Sequence, residues 1–152
     1  MQLSDDLLSE AMRAYGRALA VADPIRLRFW DNRGLTMPQL RLMYLARESG
    51  SATVGALASQ MRVTAPTISG LTDRLVRQSL IERREDPDDR RLVRICLTDE
   101  GRCVLEEIDI AARAYLGEVL SRLTETQVRD LVRALDGLVA AAETVQWSEA
   151  PA

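Results

Sequence analysis

Two clusters of side chains in the middle of the chain have the types and spacing to meet a polyanion. Thr67, Ser69, Gly70, Asp73, Arg74 and Arg77 fall on the outward side of a helical repeat whose inward positions are Ile68, Leu71 and Leu75, and Thr64 and Pro66 stand at its start. Hydroxyls at the N-terminal end of such a helix reach base edges or phosphates, Gly70 removes bulk there, and the arginines meet the backbone. The second cluster is the turn-rich run Glu85-Asp86-Pro87-Asp88-Asp89-Arg90-Arg91. A tip of this composition holds an arginine out for a narrow minor groove while a neighbouring carboxylate orients its guanidinium. The plainer alternatives are a solvated helix face and a charged hairpin without a partner.

The elements that must position these residues are legible on either side of them. Val54, Leu57, Ala58 and Met61 recur at helical spacing behind Thr53, which is placed as an N-cap. A second start signal follows at once, with Thr64 as N-cap and Pro66 in the first turn, where a missing N–H is harmless. Two short helices so close together predict a helix-turn-helix. Leu80 to Arg84 and Leu92 to Leu97 then read as strands, the second alternating Val93, Ile95 and Leu97 against Arg94 and Cys96. The expected fold class is mainly α with a small β-hairpin wing.

This middle region, from about Leu35 to Arg102, resembles the winged helix-turn-helix of the MarR (multiple antibiotic resistance regulator) family. The matching pieces are Leu35-Thr36-Met37-Pro38-Gln39-Leu40, Thr64-Ala65-Pro66-Thr67-Ile68-Ser69, and Asp89-Arg90-Arg91 running into Leu97-Thr98-Asp99-Glu100-Gly101. The last, an Asp-x-Arg tip followed by a strand and Leu-Thr-x-x-Gly, is the most specific. The resemblance implies that Asp89 braces the wing and that Arg91 enters the minor groove. It also exposes a departure: after Ser69, where many members carry arginine, this chain has Gly70, so a common major-groove contact lacks its residue.

The flanking sequence supplies helices on both sides. Ser4 is placed to cap a first helix with Asp5 and Asp6 in its first turn, and Leu7, Leu8, Ala11, Tyr15, Ala18, Leu19 and Ala22 form the stripe expected to be buried. Asp23-Pro24 interrupts it. Thr36 and Gln39 form a capping box, and Leu35 with Leu40 a hydrophobic staple, for a helix running to about Glu48. Thr98 caps a long helix with Leu105, Ile108, Ala112, Tyr115 or Leu116, Val119 and Leu123 along one side. Thr124 and Gln127 open a last helix bearing Val128, Leu131, Val132, Leu135, Leu138 and Val139. The organisation expected is 1–34 as an N-terminal dimerisation helix, 35–98 as the winged DNA-binding region, and 99–152 as C-terminal dimerisation helices. The terminal helices carry more apolar surface than a small winged domain covers, which predicts a homodimer with two reading helices about 34 Å apart, for a palindromic operator.

Between such a helical base and the winged parts a ligand crevice is expected. Tyr15, Trp30, Tyr44, Arg47, Arg113 and Tyr115 are its candidate lining, an aromatic wall with arginine suited to a small aromatic anion or a phenolic compound. Trp30, with Phe29, reads first as a core or dimer contact.

Composition limits the alternatives. The chain has 152 residues, 47% hydrophobic and 28% charged, the size of one globular domain. No apolar run is long enough for a membrane span, Asp5 and Asp6 argue against a signal peptide, and two cysteines without ligand spacing fit a reducing cytoplasm and no metal. The net charge of −3 argues against nucleic acid until its distribution is read. Between Arg62 and Arg94 eight arginines stand against six acids, whereas the remainder has twelve arginines against seventeen acids. All 20 basic residues are arginine, the side chain whose fork binds phosphate and guanine bidentately. With no histidine, no Gly-rich phosphate loop and no nucleophile elbow, an enzyme and an organic cofactor are not expected. The reading is a sequence-specific DNA-binding transcriptional regulator, a ligand-relieved repressor acting as a homodimer on double-stranded DNA. Oxidant sensing through Cys96 or Cys103, and a protein-interaction scaffold that binds no DNA, are the alternatives.

Overall fold

A computed structural model of the chain describes residues 3–27 and 33–145; Phe29, Trp30 and Trp147 lie outside these. The elements run α1 (Asp5–Ala20), α2 (Asp23–Ile25), α3 (Met37–Glu48), β1 (Ala52–Thr53), α4 (Val54–Met61), α5 (Ala65–Arg77), β2 (Ile81–Glu85), β3 (Val93–Leu97), α6 (Asp99–Ser121) and α7 (Glu125–Thr144). They form two compact units, Met1–Ala111 and Ala112–Ala152, a boundary that falls within α6. The class is the mainly helical winged helix-turn-helix that the sequence predicts.

The core of the first unit gathers Leu35, Leu40, Leu42 and Met43 around α3, Leu57 from α4, Ile68 and Leu75 from α5, Ile81, Ile95 and Leu97 from the sheet, and Val104, Leu105 and Ile108 from α6. Each of these buried side chains contributes roughly 1.5–3 kcal/mol relative to exposure. Val54, Ala58, Met61 and Leu71 pack against this cluster half-buried, as their spacing predicts. Helix starts follow the caps expected of them. Thr53 accepts from the Ala56 N–H at 3.2 Å, Thr64 from Thr67 at 3.4 Å and Thr98 from Gly101 at 3.0 Å. Gln39 Oε1 accepts the Thr36 N–H at 2.8 Å, and Gln127 does the same for Thr124 at 2.9 Å. Leu35 and Leu40, the two ends of the staple, are both buried.

The sheet is antiparallel and three-stranded, in the order β1-β3-β2. Its hairpin pairs Ile81 with Leu97, Arg83 with Ile95 and Glu85 with Val93, and β1 adds Ala52 against Ile95 and Thr53 against Arg94. The strands differ from the sequence reading by one residue at three of their ends, β2 running on to Glu85 and β3 starting at Val93, and two further details stand out. Strand β2 starts one residue late because the Leu80 N–H closes α5 through the Leu75 carbonyl, 3.0 Å away. The two-residue β1 was not expected at all, since two residues carry no alternation to read.

A larger correction concerns the first helix. Its whole stripe was expected to be buried, yet α1 has no buried residue, with Leu7, Leu8, Tyr15 and Leu19 all about half exposed. Helix α7 likewise has none, and Leu131, Val132, Leu135, Leu138 and Val139 stand open. Periodicity identifies an apolar face; it says nothing of what covers it.

Gly101 explains the Leu-Thr-x-x-Gly run. A β-carbon there would stand 2.0 Å from the Leu80 carbonyl oxygen, and that same oxygen accepts the Thr98 N–H at 3.2 Å. The Thr98 hydroxyl donates to the Ser79 carbonyl at 2.6 Å. Gly101→Ala is therefore expected to destabilise the protein by roughly 1–3 kcal/mol through forced displacement of backbone. Gly70→Ala, in a helix interior where a β-carbon meets nothing within 4 Å, has the opposite sign and gains up to about 1 kcal/mol. Urea unfolding of both variants without DNA checks the pair; equal midpoints would contradict the close approach at Leu80.

Candidate nucleic-acid interface

Helix α4 ends at Arg62, which adopts the left-handed conformation at φ 55° and lets the chain turn into Thr64. Helix α5 then presents Pro66, Thr67, Gly70, Asp73, Arg74 and Arg77 as exposed residues, while Ile68, Thr72 and Leu75 are buried. At the start of the helix the Thr64 and Thr67 hydroxyls lie 2.9 Å apart. Ser69 is half-buried and donates to the Ala65 carbonyl at 3.1 Å, which turns its hydroxyl along the helix. Gly70 is not imposed by packing, because the space around it is open.

At the far end of the hairpin, Asp89, Arg90 and Arg91 are exposed at the tip. The ladder closes where the Asp86 N–H donates to the Leu92 carbonyl at 3.0 Å, and the Leu92 N–H turns back to the Asp89 carbonyl at 2.9 Å. Asp89 Oδ1 accepts the Arg91 N–H at 2.9 Å, so this carboxylate holds the tip through its backbone. Arg74, Arg77, Arg90 and Arg91 make no ion pair among the described residues.

Two anchoring residues were overlooked in the sequence. Thr72 is fully buried; its hydroxyl donates to the Ser69 carbonyl at 2.8 Å and accepts from Arg83 of β2 at 2.9 Å. The same guanidinium reaches Asp73 at 2.6 Å, which ties the outward helix to the first strand of the wing. Asp86 is only 3% exposed and is the carboxylate at the root of the tip. Its Oδ1 accepts the N–H groups of Asp88 at 2.8 Å and Asp89 at 3.0 Å, while Oδ2 accepts from Arg94. One signal for it was present in the sequence: Asp followed by Pro87, two and three residues before further turn residues, is a side-chain-capped turn.

The candidate ligand residues separate. Tyr44 donates to Asp109 at 2.7 Å, Arg47 pairs with the same carboxylate at 2.6 Å, and the guanidinium lies 4.7 Å from the Tyr44 ring centre. Burial, and then the bond to Asp109, push the phenol well above its ordinary value, so it stays a neutral donor. Tyr15 is exposed on α1, Trp30 lies outside the described residues, and Arg113 and Tyr115 belong to the second unit. Cys96 is half-buried on β3 opposite Glu82, and Cys103 is exposed on α6. No helix among the described residues is long and apolar enough to cross a membrane.

The outward helix led by hydroxyls and the hairpin with exposed arginines at its tip lie in or beside the stretch that known proteins match. The MarR family model matches residues 35–93. The repressor MdtR of Bacillus subtilis is 30% identical over 144 residues, which is 95% of this chain and 93% of that protein. The chain belongs to the MarR family. Its fold also matches the solved structure of RV1404 from Mycobacterium tuberculosis, at 25% identity and a TM-score of 0.76, over 97% of this chain and 100% of the other. FabT of Streptococcus pneumoniae, solved in complex with DNA, has the same fold with a TM-score of 0.79 at 18% identity, over 93% and 99% of the two chains. As a MarR-family protein the chain is a transcriptional regulator of the helix-turn-helix type.

The Asp86 network has a pH signature. The Asp89 and Asp88 N–H groups, then the Arg94 side chain, hold the Asp86 carboxyl below its ordinary value of 3.8, against a smaller opposing effect of burial. Because the folded value is the lower one, its stabilisation is complete above the ordinary carboxylate range and disappears as pH falls through the folded value. The side-chain carboxyl carbon of Asp86 should therefore titrate with a midpoint below 3.8. A titration midpoint at or above 3.8 would contradict the network.

Proposed function

We propose that this MarR-family chain is a repressor that binds a palindromic operator as a homodimer and is released by a small aromatic anion. The reading rests chiefly on the arginines. Arg74 and Arg77 on α5 and Arg90 and Arg91 on the wing tip are exposed and free of ion pairs among the described residues. The other arginines of the hairpin strands, Arg83, Arg84 and Arg94, are each paired with a carboxylate. Helix α5 supplies the major-groove element through Thr64, Pro66, Thr67, Ser69 and Gly70, and the wing carries Arg91 to the adjacent minor groove. The relative MdtR is named a transcriptional repressor, which favours repression over activation.

The open apolar faces of α1 and α7 support the dimer. Large aliphatic side chains half exposed in repeating positions mark a surface made for association, and a second copy supplies a matching one. Binding as a dimer sets two reading helices about one DNA turn apart, roughly 34 Å.

A duplex selected by the wild-type protein from a random pool provides the test. Arg91→Ala should weaken binding to it by roughly 1–3 kcal/mol and lower the slope against salt concentration by about one. The same titrations should give two chains per duplex. Unchanged affinity and slope would remove Arg91 from the minor groove, and one chain per duplex would remove the dimer.

Effector relief follows from coupling. Tyr44 and Arg47, beside Asp109, are the aromatic and cationic pair nearest to an anion site, with Tyr15, Trp30, Arg113 and Tyr115 as the remaining candidates. A ligand that lowers DNA affinity a hundredfold must prefer the non-binding form by roughly 2.7 kcal/mol, and must itself bind the DNA complex a hundredfold more weakly. Calorimetry with salicylate, with and without the duplex, measures that reciprocity. Equal affinities would exclude salicylate as an effector.

A further inference from the structure

The hairpin tip is joined to the helix-turn-helix by a chain of side-chain bonds that runs through one buried carboxylate. Asp86 Oδ1 takes the N–H groups of Asp88 and Asp89, at 2.8 and 3.0 Å. Asp89 in turn takes the Arg91 N–H at 2.9 Å, so the backbone that carries Arg90 and Arg91 is folded over two successive carboxylates. In the other direction Asp86 Oδ2 accepts from Arg94 Nε, and the same guanidinium donates through Nη1 to the Ser51 hydroxyl at 3.2 Å. Arg94 sits in register with Thr53 on β1, and Thr53 is the N-cap of α4. Beyond Glu85 and Val93, the last strand-paired residues, the backbone bonds of Asp86 and Leu92 close the turn on itself, and only the side chains of Asp86 and Arg94 tie it to Ser51.

We propose that Asp86 is a positioning residue for DNA binding: together with Arg94 and Ser51 it fixes the direction in which the wing tip presents Arg91. The proposal rests on the DNA-binding reading above. Asp86 itself, at 3% exposure, is too buried to touch a duplex, and its charge is of the wrong sign to attract one. Its effect on affinity runs through the geometry of its neighbours.

The two functions of the carboxylate separate chemically. Asparagine at this position keeps an oxygen for the Asp88 and Asp89 N–H groups, but turns an NH2 toward Arg94 Nε, donor against donor. The turn at the tip survives and the tie to Arg94 and Ser51 is lost. Arg94→Gln cuts the same tie from the other end and leaves the Asp86 turn intact. Removing a negative charge near DNA would by itself tighten binding, so a loss of affinity in Asp86→Asn has the sign of misplacement and not of electrostatics.

The experiment is a double-mutant cycle between position 86 and position 91, measured by anisotropy on the duplex that the wild-type protein selects from a random pool. Asp86→Asn and Arg91→Ala should each weaken binding about tenfold, and the double variant should bind about as Arg91→Ala does, because a misdirected tip has nothing further to lose. Salt slopes of Asp86→Asn and Arg91→Ala should fall together. A hundredfold loss in the double variant, with the two effects independent, overturns the positioning role, and so does wild-type affinity in a folded Asp86→Asn. If circular dichroism shows Asp86→Asn unfolded, the Arg94→Gln cycle with Arg91→Ala decides by the same criterion. Failure of the wild-type protein to enrich any duplex overturns the DNA-binding reading and this role with it; enrichment followed by independent losses overturns this role alone.

Discussion

At Leu80 the backbone carbonyl accepts the Thr98 N–H at 3.2 Å while Gly101 approaches so closely that a β-carbon would come within 2.0 Å of the same oxygen. Three elements converge there. The Leu80 N–H has just ended α5 through Leu75, β2 begins at the next residue, and Thr98 is capping α6 while its hydroxyl holds Ser79. The consequence is that the outgoing end of α5, the root of the wing and the start of α6 meet in one junction. Ser79 takes a left-handed conformation at φ 58° to enter it, and Gly101 makes room for it. Both α5 and the hairpin are anchored at this point.

From that junction outward, arginine serves two purposes that its identity does not distinguish. Arg83 and Arg94 are tied into the fold and hold Thr72, Asp73, Asp86 and Ser51. Arg74, Arg77, Arg90 and Arg91 face outward and hold nothing among the described residues. Sequence spacing separated the helical arginines, because Ile68, Leu71 and Leu75 fix which side of α5 is solvent. It could not separate those of the hairpin, where the partner of Arg94 lies eight residues back across a turn and a second partner lies before β1. Asp86 was missed for the same reason: a carboxylate among five charged neighbours becomes a buried brace only once the turn has closed around it.

The caps and the core were legible in advance because they depend on neighbours three or four residues away. Thr36 with Gln39, Thr64 with Pro66, and Thr124 with Gln127 all stand where local chemistry puts them. The first and last helices were legible only in part. Their apolar stripes are real, but burial depends on surface from elsewhere, and within one chain the α1 and α7 stripes stay open. A helix-turn-helix with capped helices and a closed core can form on its own residues, whereas these faces have to find theirs.

The pairing of Arg83 with Asp73 shows why such ties matter more for aim than for stability. Both side chains are about half exposed, at 40% and 53%, and pairs of that kind contribute only about 0–1 kcal/mol. The cost of losing this one would barely register against a core that buries Ile68, Leu75, Ile95 and Leu97. Its geometry is another matter. One guanidinium bonds the fully buried Thr72 and the exposed Asp73 together, so the rotation of α5 about its own axis is set relative to β2. A helix at 3.6 residues per turn moves a side chain by about 100° for each position along it. A small rotation of α5 would therefore change the directions of Thr67, Gly70 and Arg74 together. Arg83, on the wing strand, adds to the core packing of Ile68 and Leu75 a direct side-chain link between α5 and β2.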